Sequence, residues 1–310
     1  MARSRNSRSD PVDGVLLLNK PAGLTSNQAL QRVKRLLNAR KAGHTGSLDP
    51  AATGMLPLCF GEATKVCAFL LDADKTYRVT AKLGSATDTG DATGAVIGTA
   101  EVPAMRADDW DTILQGFPGE SLQIPPRSTA LKKDGKRLYE LARKGETVER
   151  EPRPIRIDSI ELLEAAGARL VFRVRCSKGT YVRSLVEDIA RAAGTVAHTA
   201  RLHRETVADF GIDEMVDLKA VEASAAEGPS PLRESLLPAD RALAGLAEVC
   251  LDEAAALRFC GGQVVAAGET GVHGLARVYG AEHVFLGVGE ISGDGRIAPR
   301  RVFGRPGGNP

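Results

Sequence analysis

The sequence predicts an α+β protein: strands and helices alternate over the first 219 residues, and a small β module closes the chain. Three observations carry this. Two segments alternate apolar and polar residues as half-buried strands do: Tyr77, Val79, Ala81 and Leu83 against Arg78, Thr80 and Lys82, then Leu170, Phe172, Val174 and Cys176 against Arg173 and Arg175. Other segments space their apolar residues by three or four, as Leu30, Val33 and Leu37 do. From residue 246 onward, short strands separated by glycine turns, including "HVFLGVGEIS-GDG-RIAPRRVF", suggest a small barrel.

In chain order, "GVLLLNKP" is a buried strand stopped by Pro21, and Thr25 or Ser26 caps a helix running to about Leu37. Arg32, Lys34 and Arg35 occupy its other face. The loop "GHTGSLDPAATG" follows, then the strand "MLPLCFG" and a helix over "EATKVCAFLLDAD" with Val66, Phe69 and Leu70 inward. "ATDTGDATG" is turn chemistry; it lacks the oxygen-ligand spacing and terminal glutamate of a calcium loop. Thr180 is placed to cap the helix "TYVRSLVEDIARAAG", with Arg183 in its first turn, Leu185 and Ile189 inward and Gly194 at its end. Residues 220–245, rich in alanine, serine and proline, read as a linker. "LDEAAALRFC" is a short helix ahead of the final strands.

At 310 residues, 43% of them hydrophobic, the chain can bury a large core. Five cysteines, scattered without a CxxC pair, argue against a disulfide framework or a zinc site. Residues 1–11 read as a disordered basic tail leading into an apolar run too short for a signal peptide or a membrane span, so the chain is expected to be soluble and cytoplasmic. The net charge of +2 conceals local clustering. Residues 32–41, 124–156 and 173–204 each gather Lys and Arg, and 124–156 alone carries a local charge of +5 between prolines at both ends. Three such stretches in a near-neutral protein favour a one-sided surface for a polyanion.

Asp49 stands before Pro50 on a glycine-bracketed loop. A turn aspartate bonded to its own backbone is one reading. The other is a nucleophile or base presented where a substrate can approach. An enclosed carboxylate needs a cation to stay ionised, an arginine within a few ångströms lowering its pKa by roughly 1–3 units; Arg183 and Lys20 are the candidates. The loop lacks the Lys-Ser/Thr ending of a phosphate-binding loop and the spacing of a serine elbow, and His44 alone reads as a loop residue.

"AGHTGSLDPAATGMLPLCFGEATK" closely resembles the motif of the TruB family of tRNA pseudouridine synthases. Further stretches resemble that family in order: "GVLLLNKPAGLTSN", "DKTYRV", "LGSATDTGDATG", "STALKKDGKRLYELARKG", "CSKGTYVRSLVEDIA", "LHRE" and "GDGRIAPRRVF". The resemblance spans residue 12 to the C-terminus. It implies isomerisation of uridine to pseudouridine at position 55 in the TΨC loop of tRNA, without cofactor or metal, by a protein read as a monomer. By position, Asp49 matches the catalytic aspartate and Tyr77 the tyrosine that stacks on the flipped base. Arg183 matches the arginine paired with the aspartate, Leu202 the pocket leucine, and His44 the histidine pushed into the T-loop. Lys20 is expected to brace the site. Tyr77 and Leu202 also read as simple core residues.

The implied fold is a mixed, mainly antiparallel sheet flanked by helices (residues 12–219), followed by a PUA-like RNA-binding module (residues 246–310). Residues 124–156 would form a basic insertion whose Lys132, Lys133, Lys136 and Arg137 contact RNA phosphates. One departure stands out: Ser128 occupies a position where many members carry tyrosine. Two rival readings are a tRNA-binding or tRNA-folding protein without catalysis, and a carboxylate-dependent glycoside hydrolase. The first gives no reason for Asp49 with Tyr77 and Arg183; the second lacks a partner acid.

Overall fold

The computed structural model describes residues 12–126, 150–268 and 271–303, together with the backbone pairing of 132–133 with 136–137. The basic tail, most of the basic insertion at 124–156 and the side chains of Lys132, Lys133, Lys136 and Arg137 lie outside the described residues.

The elements that build the body are β1 (Gly14–Lys20), α1 (Ser26–Leu36), β2 (Ala42–His44), β3 (Thr53–Phe60), α2 (Cys67–Asp72) and β4 (Lys75–Leu83), followed by β5 (Ser85–Thr87), β6 (Val96–Thr99), α3 (Ala107–Leu114) and β7 (Gly119–Gln123). After the short pair β8 (Lys132–Lys133) and β9 (Lys136–Arg137) come β10 (Arg153–Ala166), β11 (Arg169–Cys176), α4 (Val182–Ala192), β12 (Ala197–Val207) and β13 (Val216–Asp217). One nine-stranded sheet runs β13-β1-β3-β12-β4-β11-β10-β7, with β2 beside β3. Only the β1–β13 and β3–β12 pairings are parallel, so the sheet is mixed and mainly antiparallel.

Two apolar clusters cover parts of this sheet. In one, α1 buries Ala29, Leu30 and Val33 against Leu16 and Leu18 of β1 and Leu56 and Leu58 of β3. In the other, α3 and α4 bury Trp110, Leu185 and Ile189 against Val79, Phe172 and Val174. Tyr77 and Leu202 pack against both, so they mark the seam between them. Helix α1 starts as its sequence requires: Gln28 N donates to Thr25 Oγ1 at 3.1 Å, and Thr25 N donates to Gln28 Oε1 at 2.8 Å.

Two local expectations are corrected. Residues 61–72 form a 3₁₀ turn and then the short α2 rather than one helix. Gly61, at φ +54°, is pressed against Asp13, whose carboxylate accepts from Glu62 N at 2.6 Å, and this clamp sets the entry to the segment. Helix α4 is not capped by the Thr180 side chain. Its N-cap is Tyr181, whose N–H donates to Gln123 Oε1 at 2.7 Å while Gln123 Nε2 donates to Tyr181 O at 3.1 Å. A side chain from β7 thus holds the residue at which the helix begins, and no side chain caps its first turn.

Residues 220–245, expected as a linker, are folded. α5 (Leu218–Ala226), α6 (Pro229–Glu234) and a 3₁₀ turn (Ala239–Leu243) bury Leu218, Val221, Leu232, Ala242 and Leu243. The C-terminal module comprises β14 (Ala247–Cys250), α7 (Glu253–Cys260), β15 (Val265–Ala266), β16 (Gly274–Tyr279), β17 (Phe285–Ile291) and β18 (Arg296–Val302). Its sheet, ordered β14-β16-β17-β18-β15, packs on Phe259 of α7. Val288 and Phe303 of this module join Val15, Leu17, Met55 and Val207 of the large sheet in one cluster. Polar ties reinforce that seam: the Tyr279 hydroxyl donates to Asp240 Oδ2 at 2.8 Å, and Lys65 Nζ donates to Val302 O at 2.7 Å.

Candidate active site

The loop between β2 and β3 is pinned before it presents Asp49. Leu48 N donates to Ser26 Oγ at 2.8 Å, and Gly23 N donates to Pro50 O at 2.8 Å. Ala52 N closes a turn on Asp49 O at 3.0 Å. Lys20, fully buried, donates from Nζ to Pro21 O and Leu24 O, each at 2.8 Å, and to Pro50 O at 3.4 Å. These contacts use the backbone, which leaves the Asp49 carboxylate free to face outward.

That carboxylate meets Arg183. Arg183 Nε lies 3.1 Å from Asp49 Oδ2, and its Nη1 donates to Thr89 O at 2.8 Å and sits 4.0 Å from Asp91 Oδ2. Arg183 is buried, whereas Asp49 stays partly accessible at the mouth of a cleft lined by Ala52, Asp91, Arg183, Thr199 and Leu202. Asp91 is itself fixed: its Oδ1 accepts from Thr93 Oγ1 at 2.6 Å, Thr89 Oγ1 at 2.8 Å and Thr93 N at 2.9 Å. Burial would raise the Asp91 pKa, but the Thr93 and Thr89 hydrogen bonds and Arg183 outweigh it and hold the carboxyl below the usual range. At Asp49 the balance reverses. Burial pushes its pKa above the ordinary value, Arg183 and Lys20 pull against that, and Asp91 adds to the rise. The chain therefore offers a carboxylate more basic than a surface aspartate, held by a buried guanidinium.

Burial lowers the Lys20 ammonium to about 8, with Asp49 opposing the fall and Arg204 adding to it. Tyr77, half-buried on β4, stands opposite Val174 on β11 and Arg204 on β12. Burial raises its phenol pKa; the charge of the Arg204 guanidinium across the strand pairing acts in the other direction. His44 ends β2 opposite Leu58; burial and then Arg204 lower its pKa, and its Nδ1 is buried with no hydrogen-bond partner. His44 does not line the cleft with Asp49.

The structure thus brings Asp49, Arg183 and Leu202 to one cleft, with Tyr77 at the seam beside it and Lys20 under the loop. The contacts expected of Lys132, Lys133, Lys136 and Arg137 lie outside the described residues. Two residues escaped the sequence reading. Asp91 passed for a turn residue, although the threonines on either side of it are what an anchored carboxylate needs. Arg204, 1% exposed, is among the largest fully buried side chains, and its only sequence signal was that it follows the pocket residue Leu202 by two along a strand.

A partly accessible carboxylate, a buried arginine and a tyrosine therefore meet at the seam of a mixed sheet. Residues 34–182 match the TruB family pseudouridylate synthase N-terminal domain. Residues 183–244 match the tRNA pseudouridylate synthase B C-terminal domain, and 247–303 the C-terminal domain of pseudouridine synthase II TruB. The chain is 49% identical over 304 residues to the tRNA pseudouridine synthase B of Pseudomonas putida, covering 98% of this chain and 99% of that protein. It is 46% identical over 310 residues to the protein of the same name from Tolumonas auensis, covering 97% and 95%. The chain belongs to the TruB family. Its fold is shared with the archaeal box H/ACA sRNP Nop10-Cbf5 complex (TM-score 0.71, 24% identity, 95% of this chain and 87% of that chain). It is shared also with an H/ACA RNP bound to a substrate RNA containing 2'-deoxyuridine (TM-score 0.70, 23% identity, 98% and 94%). Among the described residues no helix is long and apolar enough to cross a membrane, and no group of three or more His, Cys, Asp or Glu could hold a metal ion.

Proposed function

We propose that this chain is a tRNA pseudouridine synthase that isomerises uridine at position 55 in the TΨC loop, with Asp49 as its catalytic carboxylate. The observation that carries the assignment is the Arg183–Asp49 pair at 3.1 Å, set at the mouth of the Leu202-lined cleft. The reaction breaks the N1–C1′ bond, turns the uracil over and joins C5 to C1′; C5 loses a proton and N1 gains one. A partly accessible carboxylate steadied by a fixed guanidinium suits the first step, either by attacking the nucleoside or by taking a ribose proton. Arg183 keeps it ionised and aimed without consuming both of its oxygens.

A base buried in tRNA must be extruded to reach this cleft, at a cost of a few kcal/mol. Tyr77 stacks on the extruded base, Leu202 walls it, and His44, kept neutral by burial, fills the space it vacates. Lys20 braces the Asp49 loop through the Pro50 carbonyl. Lys132, Lys133, Lys136 and Arg137 meet the phosphates of the T-loop. A tRNA-binding protein without catalysis would not need an aspartate facing RNA phosphate.

The test is incubation with an unmodified tRNA transcript, followed by chemical mapping of pseudouridine and by tritium release from C5-labelled uridine. Modification at position 55 is expected. Binding without release of tritium would replace this reading with that of a tRNA-folding protein.

A further inference from the structure

Arg204 is a buried cation that no carboxylate among the described residues pairs with as a salt bridge. Its guanidinium is satisfied by backbone instead: Nε donates to Met55 O at 2.6 Å and Nη2 to Gly46 O at 3.0 Å. The first carbonyl belongs to β3 and the second to the loop that carries Asp49. Tyr77 stands directly across the β4–β12 pairing from Arg204, close enough for the guanidinium charge to act on its phenol. Two glycines make room for this. At Gly54 (φ +102°) a Cβ would fall 2.2 Å from Arg204 O, so no other residue lets β3 approach β12 there. At Gly46 (φ +79°) a Cβ would fall 3.4 Å from Arg204 Nη1. Burying a charge without a counter-ion is costly. A methionine of similar length would fill the same volume more cheaply, so packing alone does not account for an arginine.

We propose that Arg204 is a positioning residue for the reaction: its guanidinium fixes the Tyr77 phenol against the loop that presents Asp49 and supplies the fixed positive charge against which that phenol ionises. This rests on the reading above that Tyr77 meets the flipped base. The groups acting on the phenol are Arg204 from β12, Cys176 from β11 and Asp49 from the loop. Those that feel the Arg204 charge besides Tyr77 are His44 from β2, Lys20 from β1 and Lys75 from β4. Arg204 thus touches β3 and the Asp49 loop, and its charge reaches β1, β2 and β4, while it lines none of the cleft. Its effect passes through Tyr77 and the loop.

The experiment compares Arg204→Met and Arg204→Lys with the full chain in two readouts. The first is the ultraviolet titration of Tyr77, taken as the difference between each protein and its Tyr77→Phe counterpart, without RNA. Arg204→Met is expected to move that titration to higher pH, because the phenolate loses its cation, while Arg204→Lys keeps it near the wild-type position. The second is steady-state turnover on tRNA. In Arg204→Met, kcat is expected to fall on the order of 10²-fold, the size of a small displacement of reacting groups, with KM within about threefold because RNA contacts lie elsewhere. Arg204→Lys should fall between, since one ammonium cannot span Gly46, Met55 and Tyr77 together. An unmoved Tyr77 titration in Arg204→Met, or a loss confined to KM, overturns the proposal. Should Arg204→Met fail to fold, wild-type kcat in Arg204→Lys overturns it instead. A wild-type chain that makes no pseudouridine would sink the assigned reaction, and the RNA-free titration would still decide the Arg204–Tyr77 contact.

Discussion

Ser26, the first residue of α1, holds Leu48 by two hydrogen bonds: Leu48 N donates to Ser26 Oγ at 2.8 Å, and Ser26 Oγ donates to Leu48 O at 3.2 Å. The start of a helix therefore fixes the residue immediately before Asp49. Replacing Ser26 with alanine leaves a buried N–H without its partner, which costs about 1–3 kcal/mol. Urea unfolding should show that loss. Turnover should fall more than tRNA affinity does, because the loop moves and the RNA surface does not. Unchanged kcat in a measurably less stable Ser26→Ala protein would show that Asp49 is placed by other contacts.

Asp49→Asn keeps the size and hydrogen-bonding capacity of the side chain and removes its charge. Pseudouridine formation should vanish while tRNA binding stays within a few-fold of wild type. Tritium release from C5-labelled uridine measures the first and filter binding the second. Substantial residual release would remove Asp49 from the catalytic role.

Lys20 and Lys75 are both held near pKa 8 in the folded chain, chiefly by burial, against 10.5 in their ordinary state. Below pH 8 both lysines are protonated folded and unfolded, and the full cost of burying the charge is present. As pH rises past about 8 the folded chain releases these protons while the unfolded chain keeps them. Stability should therefore rise with pH, by up to about 1.4 kcal/mol per pH unit for each lysine. Above about pH 10 the phenols oppose this, since Tyr77 and Tyr279 are both pushed upward by burial and the unfolded chain ionises first. Urea midpoints between about pH 7 and about pH 10 measure the slope, and Lys75→Met should flatten it. A wild-type midpoint that falls over this range would contradict the depressed lysines.

The segment 124–156, with its local charge of +5, should grip phosphate. Alanine at Lys132, Lys133, Lys136 and Arg137 together should weaken tRNA binding and lower the log–log salt slope by about 0.7–0.9 per phosphate contact removed. Thermal stability should change little, because like-charged side chains have little apolar surface to bury. Equal salt slopes for variant and wild type would make this stretch an ordinary charged surface.

Much of the site was legible because its loop is contiguous: "GHTGSLDP" places glycine, aspartate and proline in a pattern that needs no tertiary information. The strands at Tyr77 and Leu170 were legible for the same reason, their period of two being a local property. What could not be read are contacts made between distant segments. Thr180 looked like the cap of α4, yet the start of that helix is held at Tyr181 by Gln123, 58 positions away. Alanine-rich residues 220–245 looked like a tether, but Leu232, Ala242 and Leu243 find apolar partners only once the sheet has formed. Arg204 looked like one more charge in a basic strand; only the approach of Gly46, Met55 and Tyr77 from other strands and loops reveals it as interior.

Val288 and Phe303 lie in the same cluster as Val15, Leu17 and Met55, and this bears on how the chain melts. The C-terminal sheet is the cover of β1 and β3 on the side away from α1. Deleting residues 246–310 would bare the underside of β1 and of β3, the strand that follows the Asp49 loop. Heat or denaturant should accordingly meet one cooperative transition across both parts rather than two separable ones, and the candidate site depends for its rigidity on a module none of whose described residues lines the cleft.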